Sequence, residues 1–432
     1  MRNRITQFVG LCLLALSNPF FVHAQNCGLG NRFRLPVFSQ NPTTTTVNYG
    51  RNVNLSGQQQ SLNLDIYQPV GDTLALRPLV IWAFGGSFTA GVRQSPDLVR
   101  LSNDLGRKGY VCASIDYRLG VPEPRSKQVI FEAVIRGVHD MKAAIRYFRK
   151  TIFDEGNPYR VDPDQIFVGG VSAGGIIATH VAYVDNEQEL SDFGLDTSLS
   201  QSLGGLEGLS GNPGYSSAVK GVINISGALG EAEWIAPGDP FIISLHGDRD
   251  NTVPYGTKEV TTLGRVGLII DGSYAIDSFC QTIGHPSHLY TYVNQGHVPF
   301  IRQDILEVLT LGLWVSPLID STESFISNNL SRYIDCQKLV TSRPELRPLE
   351  ARVYPNPATD YLKVELPADV VGAVSARLID LAGRELLYQT TPNANSSTLT
   401  LPLGGLSPGL YILEARAGER RVYRNVIVQP QN

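Results

Sequence analysis

The chain has 432 residues, a formal net charge of −4, and 42% hydrophobic against 18% charged residues. That length holds two to three domains at ~150 residues each, and the composition supports a packed core and excludes extensive disorder. With a net negative charge and no basic block, nucleic acid is a poor partner.

The N-terminus reads as a signal peptide over residues 1–24. Arg2 and Arg4 form a positive region, Phe8–Leu16 an apolar stretch, and Val22-His23-Ala24 approximates a cleavage site, leaving Gln25 as the new N-terminus. The stretch is too short to span a bilayer, and no later run reaches ~20 apolar residues, so no transmembrane segment is expected. Cys27 is not preceded by a lipobox-like Leu-Ser-Gly. Cys27, Cys112, Cys280 and Cys336 survive cleavage, and an even count in an exported chain permits two disulfides. A bridge between Cys27 and Cys336, closing the two ends of the central domain, is preferred. Cys112 lies in the apolar run Tyr110–Ile115 and reads equally well as a small buried hydrophobe.

From about residue 45 to 300, strand-like runs alternate with helical patterns. Strands are predicted at Leu62–Tyr67, Leu79–Ala83, Val111–Tyr117, Gln165–Val171, Val219–Ile225, Phe241–Leu245 and Leu289–Val293. A helix is predicted over Phe131–Phe148, where Val134, Val138, Met141, Ala144, Ile145 and Phe148 keep helical spacing. This order predicts an α/β fold, a mostly parallel sheet covered by helices on both faces. Residues 185–217, rich in Ser, Gly, Leu and Asp, read as an insertion over the C-terminal edge of the sheet. Residues 341–350 look like a linker. Beyond Val353, short alternating strands and turns at Ala382-Gly383 and Pro408-Gly409 predict a small all-β sandwich.

The chemistry concentrates at Gly170-Val171-Ser172-Ala173-Gly174, between a strand and a helix start. A Gly-x-Ser-x-Gly elbow there exposes the Ser172 oxygen at a helix N-terminus, and small neighbours permit the strained turn. A serine nucleophile needs a base, and the base needs an orienting acid. On a parallel sheet these belong at later strand ends, in the chain order Ser, Asp, His. The loop after Phe241–Leu245 offers Asp248 and Asp250. Asp250 is favoured, because Asp-x-x-Val-Pro sets it at the loop tip with Pro254 closing the turn. Among the histidines, His297 alone follows a strand end at the required place, and Gly296 lets its loop approach the serine. The Ala173 N–H at the elbow and the Gly85-Gly86 loop after Leu79–Ala83 are expected to stabilise an oxyanion. Trp82, Phe88 and Trp234 are candidates for a pocket lining, although aromatics on sheets more often belong to a core.

Several stretches together resemble the α/β-hydrolase superfamily, in its carboxylesterase and hormone-sensitive-lipase-like branch. They are Phe84-Gly85-Gly86-Ser87-Phe88, Asp116-Tyr117-Arg118-Leu119, the helix from Asp140 to Tyr147, Val161–Ile166, and Gly170-Val171-Ser172-Ala173-Gly174-Gly175. The resemblance covers about residues 45–320. It implies that Gly86 and Ser87 supply oxyanion N–H groups, with Gly85 making the turn. Phe84 stands where a histidine is common and Ser87 where a third glycine usually lies, so the support of that loop departs from the family pattern. Residues 351–432 resemble the sorting domain of type IX secretion substrates. Val353–Leu362, Leu378–Arg384 and Leu406–Leu413 carry that likeness. It implies outer-membrane translocation followed by release or surface attachment.

The chain is therefore expected to comprise a signal peptide (1–24), an α/β-hydrolase catalytic domain (25–340), a linker (341–350) and a sorting domain (351–432). The expected activity is that of a secreted serine carboxylic-ester hydrolase acting through an acyl-enzyme, with Ser172, Asp250 and His297 as catalytic residues and no metal or organic cofactor. Export suggests an environmental ester, small or linked to a polymer. A prolyl-oligopeptidase-like peptidase shares the triad order, but no propeller-sized segment precedes the hydrolase. A non-catalytic binding protein on a hydrolase scaffold is the alternative from another class.

Overall fold

A computed structural model describes residues 30–430 except 262, 263, 265, 303, 305, 306, 309–311, 337, 338, 340–346, 368, 369, 371, 372, 381–384, 392–397 and 419. The predicted signal peptide and Cys27 lie outside the described residues.

The chain enters a central sheet through an antiparallel hairpin, β1 (Thr43–Val53) and β2 (Gln59–Gln68). At its turn the Asn54 side chain accepts the N–H groups of Ser56 and Gln58 at 3.0 and 3.1 Å. Six more strands complete the sheet: β3 (Arg77–Ala83), β4 (Val111–Ile115), β5 (Val161–Val171), β6 (Gly221–Ile225), β7 (Phe241–Gly247) and β8 (Ser287–Tyr292). In space the eight strands run β1-β2-β4-β3-β5-β6-β7-β8. β2 is antiparallel to β1 and β4, and all later neighbours are parallel. Every residue of β3, β4, β6 and β7 is buried. That explains their unbroken apolar runs, since a parallel sheet hides both faces.

The strand order reverses between β3 and β5. The chain steps one way from β3 to β4 and the other way from β5 to β6. Right-handed crossovers therefore put the connecting helices on opposite faces. These are α1 (Pro96–Lys108) after β3 and α3 (Ala173–Tyr183) after β5. The long α2 (Lys127–Asp154) packs on α3, where Gly137 makes room for Ile177: a Cβ at 137 would lie 2.5 Å from the Ile177 Cδ1. On the other face α5 (Ser316–Leu330) meets α1, with Arg100 Nε donating to Glu323 at 2.6 Å and Lys108 Nζ to Ser327 at 3.1 Å. α4 (Ser273–Ile283) precedes β8.

Within 185–217 lie two short helices, Glu187–Asp192 and Thr197–Ser202. The segment is fastened rather than loose. Ser210 donates to the buried Asp140 at 2.5 Å, Lys142 and Arg146 pair with Glu207, and Asn212 donates to the carbonyl oxygens of Tyr49 and Ala143. Asp140 in turn holds Arg118 at 3.0 Å, so this buried ion pair ties the end of β4 to α2 and to the insertion.

The C-terminal region has its own core, built on Leu362, Val364, Leu378, Leu401, Leu413 and Val426. A five-stranded sheet and a three-stranded sheet enclose it. Arg347–Pro348 already pairs with Arg420–Arg421, and Leu349 is buried in this second core. Against α2, Arg416 and Arg421 both meet Asp154, and the Arg416 guanidinium lies over Tyr215, 5.2 Å from its ring centre.

The cysteines resolve differently from a two-bridge pattern. Cys112 and Cys280 are buried and free, and burial pushes the Cys280 thiol up to about 12. Cys336 is disulfide-bonded, and its partner lies outside the described residues.

Candidate active site

Reversal of the strand order opens a crevice at the carboxyl ends of β3 and β5. Ala83 and Gly170 are register partners there, so the segments that follow each strand begin side by side. Ser172 ends the β5 turn with φ 56° and ψ −118° and caps α3. A left-handed non-glycine residue costs on the order of 1–3 kcal/mol and persists only where its surroundings enforce it. Here the enforcement is packing. A Cβ at Gly170 would lie 2.2 Å from the Gly174 carbonyl carbon, and one at Gly174 would lie 2.0 Å from the Ala83 oxygen. The Ser172 N–H is taken by the Ile225 carbonyl at 2.8 Å. Ala173 is the first residue of α3, so its N–H is among those a helix leaves without an internal partner.

The other two groups come from the ends of β7 and β8. His297 Nε2 lies 2.8 Å from Ser172 Oγ, and His297 Nδ1 lies 2.6 Å from Asp250 Oδ2. A carboxylate only accepts, so Nδ1 carries the proton and Nε2 presents its lone pair to the serine hydroxyl. The other Asp250 oxygen accepts the N–H groups of Thr252 and Val253 at 2.7 and 3.0 Å. Burial pushes the Asp250 carboxyl up, but the hydrogen bonds from His246 and His297 outweigh it and hold the group well below the usual carboxylate range. Asp248 is exposed on the same loop. The His297 loop is itself bent by Asn294 at φ 60° and Val298 at φ 47°. Thus the structure brings Ser172, His297 and Asp250 into one hydrogen-bonded line.

After β3 the chain folds into a tight loop. Gly86 has φ 126°, and its carbonyl accepts Thr89 N–H at 3.0 Å and Ala90 N–H at 3.2 Å. A Cβ at Gly86 would lie 2.0 Å from the Ala90 oxygen. Ser87 and Phe88 follow at φ 52° and 60°. Phe84, where a histidine was the family expectation, stacks on Tyr117 at 4.3 Å, and the Tyr117 hydroxyl donates to the Phe84 carbonyl at 3.0 Å. Aromatic packing thus supports this loop. Gly85 abuts the nucleophile: a Cβ there would lie 3.3 Å from Ser172 Cβ. Among the described residues, the N–H groups of Gly86 and Ser87 meet no protein acceptor.

Residues 64–230 match the BD-FAE family. Over those residues the chain is similar to an esterase-like α/β-hydrolase. Residues 352–429 of the same chain match the secretion system C-terminal sorting domain. Esterase 2 of the planctomycete Thermogutta terrifontis, solved with propionate bound, is similar at 19% identity; the match covers 67% of this chain and 95% of that one, with a TM-score of 0.44. The butyrate-bound form of that esterase gives a TM-score of 0.45 at 19% identity, over 67% and 95% of the two chains. A truncated carbohydrate esterase from gut microbiota matches at 19% identity over 68% of this chain and 99% of that chain, with a TM-score of 0.44. No curated protein matches.

Other polar groups around the central sheet serve the scaffold. Burial pushes His139 and His180 down to about 4, and they bond the carbonyl oxygens of Gly205 and Ile176 at 2.7 Å each. Trp82 is wholly buried in β3 and leaves no room for a side chain at Gly169. Trp234 packs on His180 and Phe193 at 5.7 and 5.4 Å, and Phe88 is buried beside Tyr117. These three aromatics are core. His297 alone among the histidines stood out in the sequence, yet His246 Nε2 also lies 3.1 Å from the Asp250 oxygen that holds His297. Its only sequence signal is its place four residues before Asp250 at the end of β7. Among the described residues, no three His, Cys, Asp or Glu side chains cluster as metal ligands, and no helix is long and apolar enough to cross a membrane.

Proposed function

We propose that this chain is an exported serine carboxylic-ester hydrolase working through an acyl-enzyme. The observation that carries the proposal is the continuous line Asp250–His297–Ser172, with contacts of 2.6 and 2.8 Å, at the switch point of a parallel sheet. In the proposed cycle His297 Nε2 takes the Ser172 proton as Oγ attacks the ester carbonyl. The N–H groups of Gly86, Ser87 and Ala173 hold the oxyanion, each worth about 3 kcal/mol to the transition state. His297 then gives its proton to the departing alcohol, activates a water against the acyl-serine, and returns the proton to Ser172 as the acid leaves. Asp250 holds the tautomer and stabilises the imidazolium.

We further propose export by the signal peptide at residues 1–24, then passage across the outer membrane on the type IX route through the C-terminal sorting domain. The substrate is an ester met outside the cell, small or polymer-linked. Hydrolysis of p-nitrophenyl acetate and butyrate by Ser172→Ala tests the chemistry. A fall of at least a thousandfold is expected, and activity within tenfold of the parent overturns the proposal. A panel from acetyl to palmitoyl esters, with acetylated xylan and methyl ferulate, identifies the substrate class.

A further inference from the structure

Asp250 Oδ2 accepts two imidazole rings. His297 Nδ1 lies 2.6 Å away on the solvent side, and His246 Nε2 lies 3.1 Å away in the wholly buried interior. His246 does not end there. Its Nδ1 meets Ser273 Oγ at 2.8 Å, and Ser273 Oγ also accepts the Asn224 side-chain N–H at 3.2 Å. Asn224, Ser273 and His246 are all fully buried, on β6, at the start of α4 and in β7 respectively.

The proton positions follow from these partners. Ser273 receives a proton from Asn224, so its own hydroxyl proton is free for His246 Nδ1. His246 Nε2 faces only acceptors, Asp250 Oδ2 and the Val253 carbonyl at 3.2 Å, so it carries the ring's proton. The titratable groups facing His246 are Asp250 on the following loop, His297 across the shared carboxylate, and Tyr255, whose ring lies edge-on at 5.7 Å.

We infer that His246, fixed as the neutral Nε2–H tautomer by Ser273 and Asn224, is a positioning residue that sets both the orientation and the basicity of Asp250. Two backbone N–H groups pin one carboxylate oxygen. The His246 N–H pins the other in the direction His297 requires. It also draws charge from the oxygen that His297 shares, so the imidazolium is held no more tightly than turnover allows. A charge-assisted bond in a dry site is strong enough to do both. This inference rests on the proposed Ser172–His297–Asp250 chemistry.

The test compares His246→Phe and His246→Gln in the full chain, following kcat/KM for p-nitrophenyl butyrate against pH. Phe fills the ring's space without a donor, whereas Gln can return an N–H to Asp250 and a carbonyl to Ser273. The expected result for His246→Phe is about a tenfold loss in kcat, a KM within about twofold of the parent, and an acid limb displaced to higher pH. His246→Gln is expected to restore the parent limb. An unmoved limb in His246→Phe, or the same profile for Phe and Gln, overturns the inference. Should His246→Phe fail to fold, Ser273→Ala replaces it. Loss of the hydroxyl frees the ring, so a smaller displacement in the same direction is expected, and no displacement overturns the inference. Failure of the underlying chemistry reads out separately, as Ser172 in the parent failing to react with a fluorophosphonate.

Discussion

Asp250→Asn is the substitution whose consequence can be worked furthest from the geometry. One carboxylate oxygen accepts the Thr252 and Val253 N–H groups at 2.7 and 3.0 Å, and the other accepts His297 and His246 at 2.6 and 3.1 Å. An asparagine keeps the two backbone bonds only by leaving its oxygen on that side. Its NH₂ then faces two ring N–H groups. His297 relieves this clash of donors by moving its proton to Nε2, and an N–H there, 2.8 Å from Ser172 Oγ, cannot accept the serine proton. A wrong tautomer of this kind costs about 10⁴ in kcat, equivalent to about 5 kcal/mol of transition-state stabilisation. The fold should survive, because the backbone bonds to the side chain remain. The assay is steady-state hydrolysis of p-nitrophenyl butyrate by Asp250→Asn and Asp248→Asn, with circular dichroism confirming folding. Asp248 is exposed and should tolerate the change within about twofold. A folded Asp250→Asn variant within tenfold of the parent, or equal damage from Asp248→Asn, would show that Asp250 does not set the His297 tautomer.

Stability should also follow the Asp250 charge. Its folded carboxyl sits below the unfolded value of roughly 3.9, so the unfolded chain binds the extra proton first and stability rises with pH through that range. The stability gap between parent and Asp250→Asn should therefore be fully present above about pH 4 and narrow as pH falls further, measured by urea unfolding along a pH series. Gly174→Ala would set a Cβ 2.0 Å from the Ala83 oxygen and 2.8 Å from the Phe84 oxygen. Backbone on both sides must move, so thermal unfolding should show a loss of at least about 1–3 kcal/mol, accompanied by loss of esterase turnover. Arg118→Met leaves Asp140 buried beside Ser210 without its cation, and about 3–5 kcal/mol of unfolding free energy should disappear in a denaturant titration. A chain ending before residue 347 should keep kcat/KM within about twofold, because the C-terminal strands close over a core of their own.

The line from Ser172 to Asp250 was legible because Ser172 and Asp250 follow buried apolar strands, which announce themselves, and His297 follows a half-buried strand whose Leu289, Tyr290 and Tyr292 still mark it. β3, β5, β7 and β8 were all found, although β5 begins at Val161, where Asp162 and Pro163 hid the strand start. α1 escaped notice because its buried face includes Asp104 and Lys108 paired with each other, along with Ser102, and so lacks a clean apolar stripe. His246 was visible as a residue but not as a partner of Asp250. Only the turn after β7 folds the Asp250 side chain back over it. Trp82, Phe88 and Trp234 are core, the reading the sequence favoured, although a tryptophan facing a sheet neighbour and one facing a pocket look alike along the chain. Phe84 shows the converse. It breaks the family pattern in sequence, yet stacking on Tyr117 supplies a support that the pattern does not describe.

In the proposed mechanism Ser172 forms the covalent bond to the acyl group. Intact-mass measurement after fluorophosphonate treatment, followed by peptide mapping, reads this directly. A single adduct is expected, on Ser172, formed in step with loss of ester hydrolysis and absent from Ser172→Ala. Ester hydrolysis that persists without an adduct, or an adduct on a different serine, would contradict it.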